Sequence, residues 1–147
     1  MSYLSTFNIC GSGLTAQRLR LDIASENIAN METTRTESGG PYRRQMVVLE
    51  EIGGSTFKSQ YARALANSRT TEGGVRVAEV VEDQRDSIPV YNPEHPDADE
   101  DGYVQMPNVD LVKETIDAMS ASRSYEANIT AFNALKLMAQ RALDIGK

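Results

Sequence analysis

The residues best placed for chemistry lie in one acidic run, Asp97-Ala98-Asp99-Glu100-Asp101-Gly102. It sets carboxylates at positions 1, 3 and 5 and a glycine at 6, the opening of a calcium-binding loop. Position 12 is Asn108 rather than a bidentate glutamate, and proline-rich sequence precedes the run where a helix belongs. The run therefore reads as a solvated acidic turn between two strands. His95, the single histidine, sits in Asn92-Pro93-Glu94-His95-Pro96. No neighbour there is suited to orient its second nitrogen for catalysis or metal binding, so it reads as an exposed turn residue. Cys10, the single cysteine, has no basic group nearby to lower its pKa and reads as a small apolar packing residue. Neither a Gly-x-Ser-x-Gly elbow nor a phosphate-binding loop occurs. The chain is expected to be no enzyme and to hold no metal or cofactor.

Charge and composition narrow the classes further. The 147 residues carry 15 Lys and Arg against 21 Asp and Glu, a formal charge of −6. Without a basic cluster the chain cannot neutralise a run of phosphates, which excludes ordinary nucleic-acid binding. No small-molecule substrate site is recognisable. No stretch of eighteen apolar residues is present, so no membrane span is expected. The first seven residues have neither a basic segment nor an apolar block, unlike a cleaved secretion signal.

Proline and charge divide the chain into three segments: 1–36, 37–107 and 108–147. All five prolines (Pro41, Pro89, Pro93, Pro96 and Pro107) lie in the middle one, leaving both ends free to be helical. The net negative charge also sits in the middle. The N-terminal arm, from about Ser2 to Asn30, carries Phe7, Leu14, Leu21 and Ile28 at seven-residue spacing. A second stripe, Ile9, Ala16 and Ile23, lies roughly 200° around the helix, and is expected to await a partner outside the chain. Within this arm Gly11-Ser12-Gly13 marks either a local break or a close approach to a neighbouring backbone.

The C-terminal arm shows the stronger periodicity. Leu111, Ala118, Ala121, Tyr125, Asn128, Phe132, Leu135, Ala139 and Ala142 follow 3–4 spacing, with Glu114 interrupting and Asn108 available as the cap. Gly146 is placed to end the helix. About 38 helical residues span roughly 57 Å, whereas a compact globule of this size is about 38 Å across. Such a helix must protrude, and its apolar surface needs partners. Tyr125 and Asn128 on the seam, with Asn27 and Asn30 in the other arm, are expected to make inter-helix or inter-subunit hydrogen bonds. The middle reads as short strands over 42–50, 75–82, 88–91 and 103–106. Residues 52–72 read as a mobile loop, with a turn or two of helix possible over 61–66.

Two stretches carry a resemblance. Ala24-Ser25-Glu26-Asn27-Ile28-Ala29-Asn30, followed by Thr33, resembles the N-terminal signature of the flagellar rod–hook axial proteins. Met119-Ser120-Ala121-Ser122-Arg123-Ser124-Tyr125-Glu126-Ala127-Asn128-Ile129 resembles their C-terminal one. Asn92-Pro93, His95-Pro96, Ala98-Asp99 and Gly102 through Asp110, together with the length, point to the short proximal-rod branch of that family. Residues 50–72 depart from the pattern, looking longer than the family's usual connection. The resemblance implies an α+β fold: two long terminal helices in an antiparallel, coiled-coil-like pair lining an inner tube, with a small β-rich domain outside. It implies a structural subunit of the bacterial flagellar basal body that transmits motor torque and lines the export channel. Partners implied are copies of the chain, other rod proteins, and ring or export-gate components. It also implies type III export to the periplasmic rod without a cleaved signal. The residues expected at the assembly interface are Phe7, Leu14, Leu21, Asn27, Ile28, Asn30, Met119, Arg123, Tyr125, Asn128, Phe132 and Leu135. A soluble coiled-coil adaptor and a calcium sensor built on the Asp97–Gly102 turn are the alternative readings.

Overall fold

A computed structural model describes residues 3–37, 39–53, 61 and 73–145. In it two long helices, α1 (Tyr3–Ala29) and α2 (Leu111–Ile145), bracket four strands: β1 (Gln45–Glu51), β2 (Val75–Glu82), β3 (Ile88–Tyr91) and β4 (Tyr103–Met106). The fold is α+β. Most of the expected 52–72 loop, all of 62–66 and Gly146 lie outside the described residues. Neither helix is long and apolar enough to cross a membrane.

Helix α2 starts later than its sequence suggests. Asp110, not Asn108, is the cap: its Oδ1 accepts from the backbone N–H of Val112 (2.9 Å) and of Lys113 (3.4 Å). Its carbonyl accepts the first helical hydrogen bond, from Glu114 N–H. Asn108 fails as a cap because it lies two residues too early to reach those amides. The 35 residues of α2 rise about 52 Å, so the helix still exceeds the breadth of a compact globule.

The helices run antiparallel, and three contacts set their register. Phe7 and Phe132 meet edge to face with ring centroids 5.0 Å apart. A Cβ built on Gly13 would lie 3.2 Å from the Asn128 amide. Near the other end, Asn27 Nδ2 donates to Glu114 Oε2 at 2.9 Å. Each pair of residue numbers adds to about 140, as uniform antiparallel alignment requires. The same alignment sets Tyr3 opposite Leu137, so the last turns of α2 pass beyond the described part of α1.

The Gly11-Ser12-Gly13 segment is unbroken helix, and Gly13 is the close-approach residue. Gly11 has open space where a side chain would be. Gly11→Ala should therefore stabilise the chain by about 0.5–1 kcal/mol, the ordinary helix-propensity gain. Gly13→Val should destabilise it by about 1–3 kcal/mol through overpacking against Asn128. Chemical denaturation of the two variants checks both signs.

The second stripe on α1 does not wait for another subunit. Ala16 and Ile23 are buried, with Ala24 and Asn27 beside them, because α1 packs against the β1–β2 hairpin as well as against α2. Antiparallel β1 and β2 pair from Gln45↔Glu82 to Glu51↔Val75, with a bulge at Val48/Leu49. The start of β2 docks on α1 where Ser12 Oγ accepts from Val75 N–H. Gly74 makes that approach possible: its φ is +117°, and a Cβ there would fall 2.8 Å from Ser12 Oγ. A helix with two apolar stripes is thus a helix between two partners, both in this chain.

The β3–β4 hairpin, paired from Ile88↔Met106 to Tyr91↔Tyr103, lies against no other helix or strand among the described residues. Val104 and Pro107 are buried, and Tyr91 stacks edge to face on Tyr103. Its turn is tied to the segment leaving α1. Asp97 Oδ2 accepts from Thr34 Oγ1 at 2.8 Å, and its Oδ1 lies 3.5 Å from Arg35 Nε.

Candidate functional site

The most concentrated polar chemistry is a buried junction joining α1, the lead into β1, and α2. Asn27, 1% exposed, makes every hydrogen bond its amide allows. Nδ2 donates to the Gln45 carbonyl and to Glu114 Oε2, both at 2.9 Å. Its Oδ1 accepts from Gln45 N–H at 2.9 Å and from the Tyr42 hydroxyl at 3.0 Å. Glu114, 2% exposed, receives Arg44 Nε on Oε1 at 2.5 Å. Arg44 reaches Asp117 with Nη2 at 3.3 Å. Burial pushes the Tyr42 phenol's pKa up, aided by the carboxylates of Glu26, Glu114 and Glu82, so it stays a proton donor.

This arrangement holds elements together. Glu114 has an ion-pair partner and an amide donor, and Asn27 is saturated. No buried polar side-chain atom among the described residues lacks a partner. No three metal-ligating side chains converge among the described residues either. In the acidic turn, His95 Nδ1 accepts from Asp97 N–H at 3.1 Å, which shapes the turn. Cys10 is a half-buried free thiol on α1.

A second ion pair secures the exit of β2. Asp83 is buried, donates its N–H to the Arg44 carbonyl, and takes a bidentate hydrogen bond from the Arg85 guanidinium. The guanidinium, then Arg85 N–H, lowers the Asp83 carboxyl from its ordinary 3.8 to about 2. A lowered carboxyl stabilises the fold above its unfolded value and loses that contribution as pH falls through its folded value. Arg85→Gln should therefore melt below the parent chain at pH 7, and the gap should close as pH falls from about 4 to 2. Melting curves across that range check the sign.

The residues expected at the assembly interface fall into two sets. Phe7 packs on Phe132 within the chain. Asn27 is enclosed in the junction, and Asn128 covers Gly13 while Nδ2 donates to the Ser124 carbonyl of its own helix. Asn30 caps its own end of α1, donating to the Glu26 carbonyl and accepting from Thr33 Oγ1. Leu14, Leu21, Ile28, Tyr125 and Leu135 are half-buried. Only Met119 and Arg123 are exposed. They continue a stripe begun by Val112 and Ile116, on the face of α2 turned away from Ala121, the fully buried residue of the seam. Val112, Ile116 and Met119 are each more than half exposed.

Sequence reasoning missed Glu114, Arg44, Tyr42 and Gln45. The signal was present for Glu114. It lies in register with the seam at 111, 118 and 121, where a carboxylate needs a buried cation.

Two family descriptions match the chain: "Flagella basal body rod protein" over residues 7–35 and "Flagellar basal body rod FlgEFG protein C-terminal" over residues 100–145. Among curated relatives, the flagellar basal-body rod protein FlgC of Bacillus subtilis is 47% identical over 151 residues, covering 100% of both chains. That of Borreliella burgdorferi is 43% identical, covering 99% of this chain and 98% of its own. That of Salmonella typhimurium is 43% identical over 147 residues, again covering 100% of both.

Proposed function

The chain belongs to the family of FlgC flagellar basal-body rod proteins, structural subunits of the flagellum and not enzymes, and from that premise we propose how it serves the rod. Residues 1–36 and 108–147 form the arms that line the inner tube of the proximal rod, with residues 37–107 on the outside. Copies of the chain and other rod proteins pack on the arms, and ring or export-gate components adjoin them. The subunit reaches the periplasmic rod through the flagellar type III apparatus without a cleaved signal.

The observation that carries this reading is the exposed apolar stripe Val112, Ile116 and Met119, on a helix already packed on its opposite face. Such a stripe gains by burial at about 25 cal/mol per Å² of apolar surface. The junction suits the load. A torque-bearing subunit must not let its helices slide, and the Asn27–Glu114–Arg44 bonds pin their register. Deleting the gene should leave cells without completed rods and non-motile, and the intact gene should restore both. Normal rods in the deletion strain would contradict the reading.

A further inference from the structure

Asp97 joins the tip of the β3–β4 hairpin to the segment leaving α1, and its own backbone is held by the single histidine. Proline has no N–H, so with Pro96 between them the first amide donor after His95 is that of Asp97. It donates to His95 Nδ1 at 3.1 Å, and Ala98 N–H closes the same turn on the His95 carbonyl at 3.0 Å. Asp99 N–H donates to the Tyr103 carbonyl at 2.8 Å, which ties the turn to β4. With its backbone fixed in this way, Asp97 offers one carboxylate oxygen to Thr34 Oγ1 at 2.8 Å and the other to Arg35 Nε at 3.5 Å.

The bond to Nδ1 exists only while the ring is neutral. A neutral imidazole protonated on Nε2 offers Nδ1 as an acceptor, whereas an imidazolium is a donor at both nitrogens. A proton on Nδ1 therefore sets one donor against another, the Asp97 N–H. It also places a cation beside the Asp97 carboxylate, in competition with Arg35, whose side chain is 79% exposed. The charged groups around the ring come from two stretches of chain. Its own turn brings Glu94, Asp97, Asp99, Glu100 and Asp101, and the segment leaving α1 brings Glu32, Arg35 and Glu37. No other helix or strand packs against the hairpin among the described residues. Arg35 is the one base in this set, so a charged ring meets several carboxylates with which it can pair.

We propose that His95 is a proton-operated latch: neutral, it holds Asp97 against Thr34 and Arg35, and protonation releases the tip of the β3–β4 hairpin from the helical frame. The direction follows from linkage. The latched tip already uses the Nδ1 lone pair, so a proton binds the released tip better and acid shifts the balance towards release. Loss of one neutral hydrogen bond changes that balance by about fivefold. Imidazoles change charge between about pH 5 and 8, a range in which ordinary surface carboxylates stay ionised. Release frees the turn from Asn92 to Gly102, while β3 and β4 stay paired from Ile88↔Met106 to Tyr91↔Tyr103.

The test is NMR of the purified full-length chain at about pH 8 and about pH 5.5, with circular dichroism confirming the helix content of each variant. Because His95 is the single histidine, its ring signals need no separate assignment and report its charge directly. In the parent chain, cross-peaks between the side chains of Thr34 and Asp97 should be strong at the higher pH. They should weaken at least about threefold at the lower, with the midpoint of the ring's own titration. His95→Asn keeps an acceptor for the Asp97 N–H and takes up no proton, so its cross-peaks should stay strong at both pH values. His95→Ala has no acceptor, so its cross-peaks should be weak at both. Parent cross-peaks that persist beside a charged ring, or a ring still neutral at the lower pH, would overturn the proposal. So would a His95→Asn chain that loses the cross-peaks as the parent does, or a His95→Ala chain that keeps them.

Discussion

Arg44→Met should lower the unfolding free energy by about 3–5 kcal/mol, the usual cost of removing one partner from a buried ion pair. Glu114 is 2% exposed. Without Arg44 its charge would rest on one amide donor, Asn27 Nδ2. The double variant Arg44→Met/Glu114→Leu should recover much of the loss, because no uncompensated charge remains and apolar replacements of buried pairs are often neutral. Its residual deficit should come from Asn27, which keeps only Gln45 as an acceptor for its two N–H groups. Urea denaturation of the parent, both single variants and the double variant measures the coupling. A single-variant loss below about 1 kcal/mol would mean that the junction does not hold the helices.

Ile116→Asp/Met119→Asp should abolish rod assembly while leaving the subunit folded. Both side chains are more than half exposed in the isolated chain, so the carboxylates stay in water there and stability should change by less than about 1 kcal/mol. In the assembled rod the same carboxylates would be desolvated without partners, at several kcal/mol each. Leu135→Asp provides the contrast. Leu135 lies on the half-buried seam towards α1, so that variant should lose stability and assembly together. Cells carrying Ile116→Asp/Met119→Asp should express the protein normally and fail to swim. Normal swimming would remove this face of α2 from the interface.

The helical frame was legible because 3.6-residue periodicity records which positions are covered. The seam at Ala118, Ala121, Tyr125, Asn128 and Phe132 turns towards α1 as its spacing requires, and Ala121 is fully buried. Periodicity does not record what does the covering. Ile9, Ala16 and Ile23 read as a surface for another subunit, whereas the β1–β2 hairpin of the same chain lies over that side of α1. Nothing local to α1 distinguishes the two, because the hairpin's position depends on Gly74 and Ser12, 62 residues apart.

The junction was obscured for a related reason. Glu114 read as a flaw in an apolar seam because its cation, Arg44, is 70 residues away and on no shared element. Asn27 stood out within the N-terminal signature, but its role did not. Its four hydrogen bonds lie inside the chain, so a residue expected at the assembly interface is a structural amide. Asn108 and Asp110 are both competent caps by type, and only the point at which the chain leaving β4 enters the helix decides between them.

In the proposed rod, α2 of this chain presents its Val112–Ile116–Met119 face to neighbouring rod subunits. A photo-cross-linking residue in place of Met119, activated in living cells before basal bodies are purified, tests it most directly. Fully motile cells should yield covalent adducts between this chain and a rod subunit, and the same probe in place of Ala121 should yield none between chains. Fully motile cells with no adduct from position 119, or equal adducts from both positions, would contradict it.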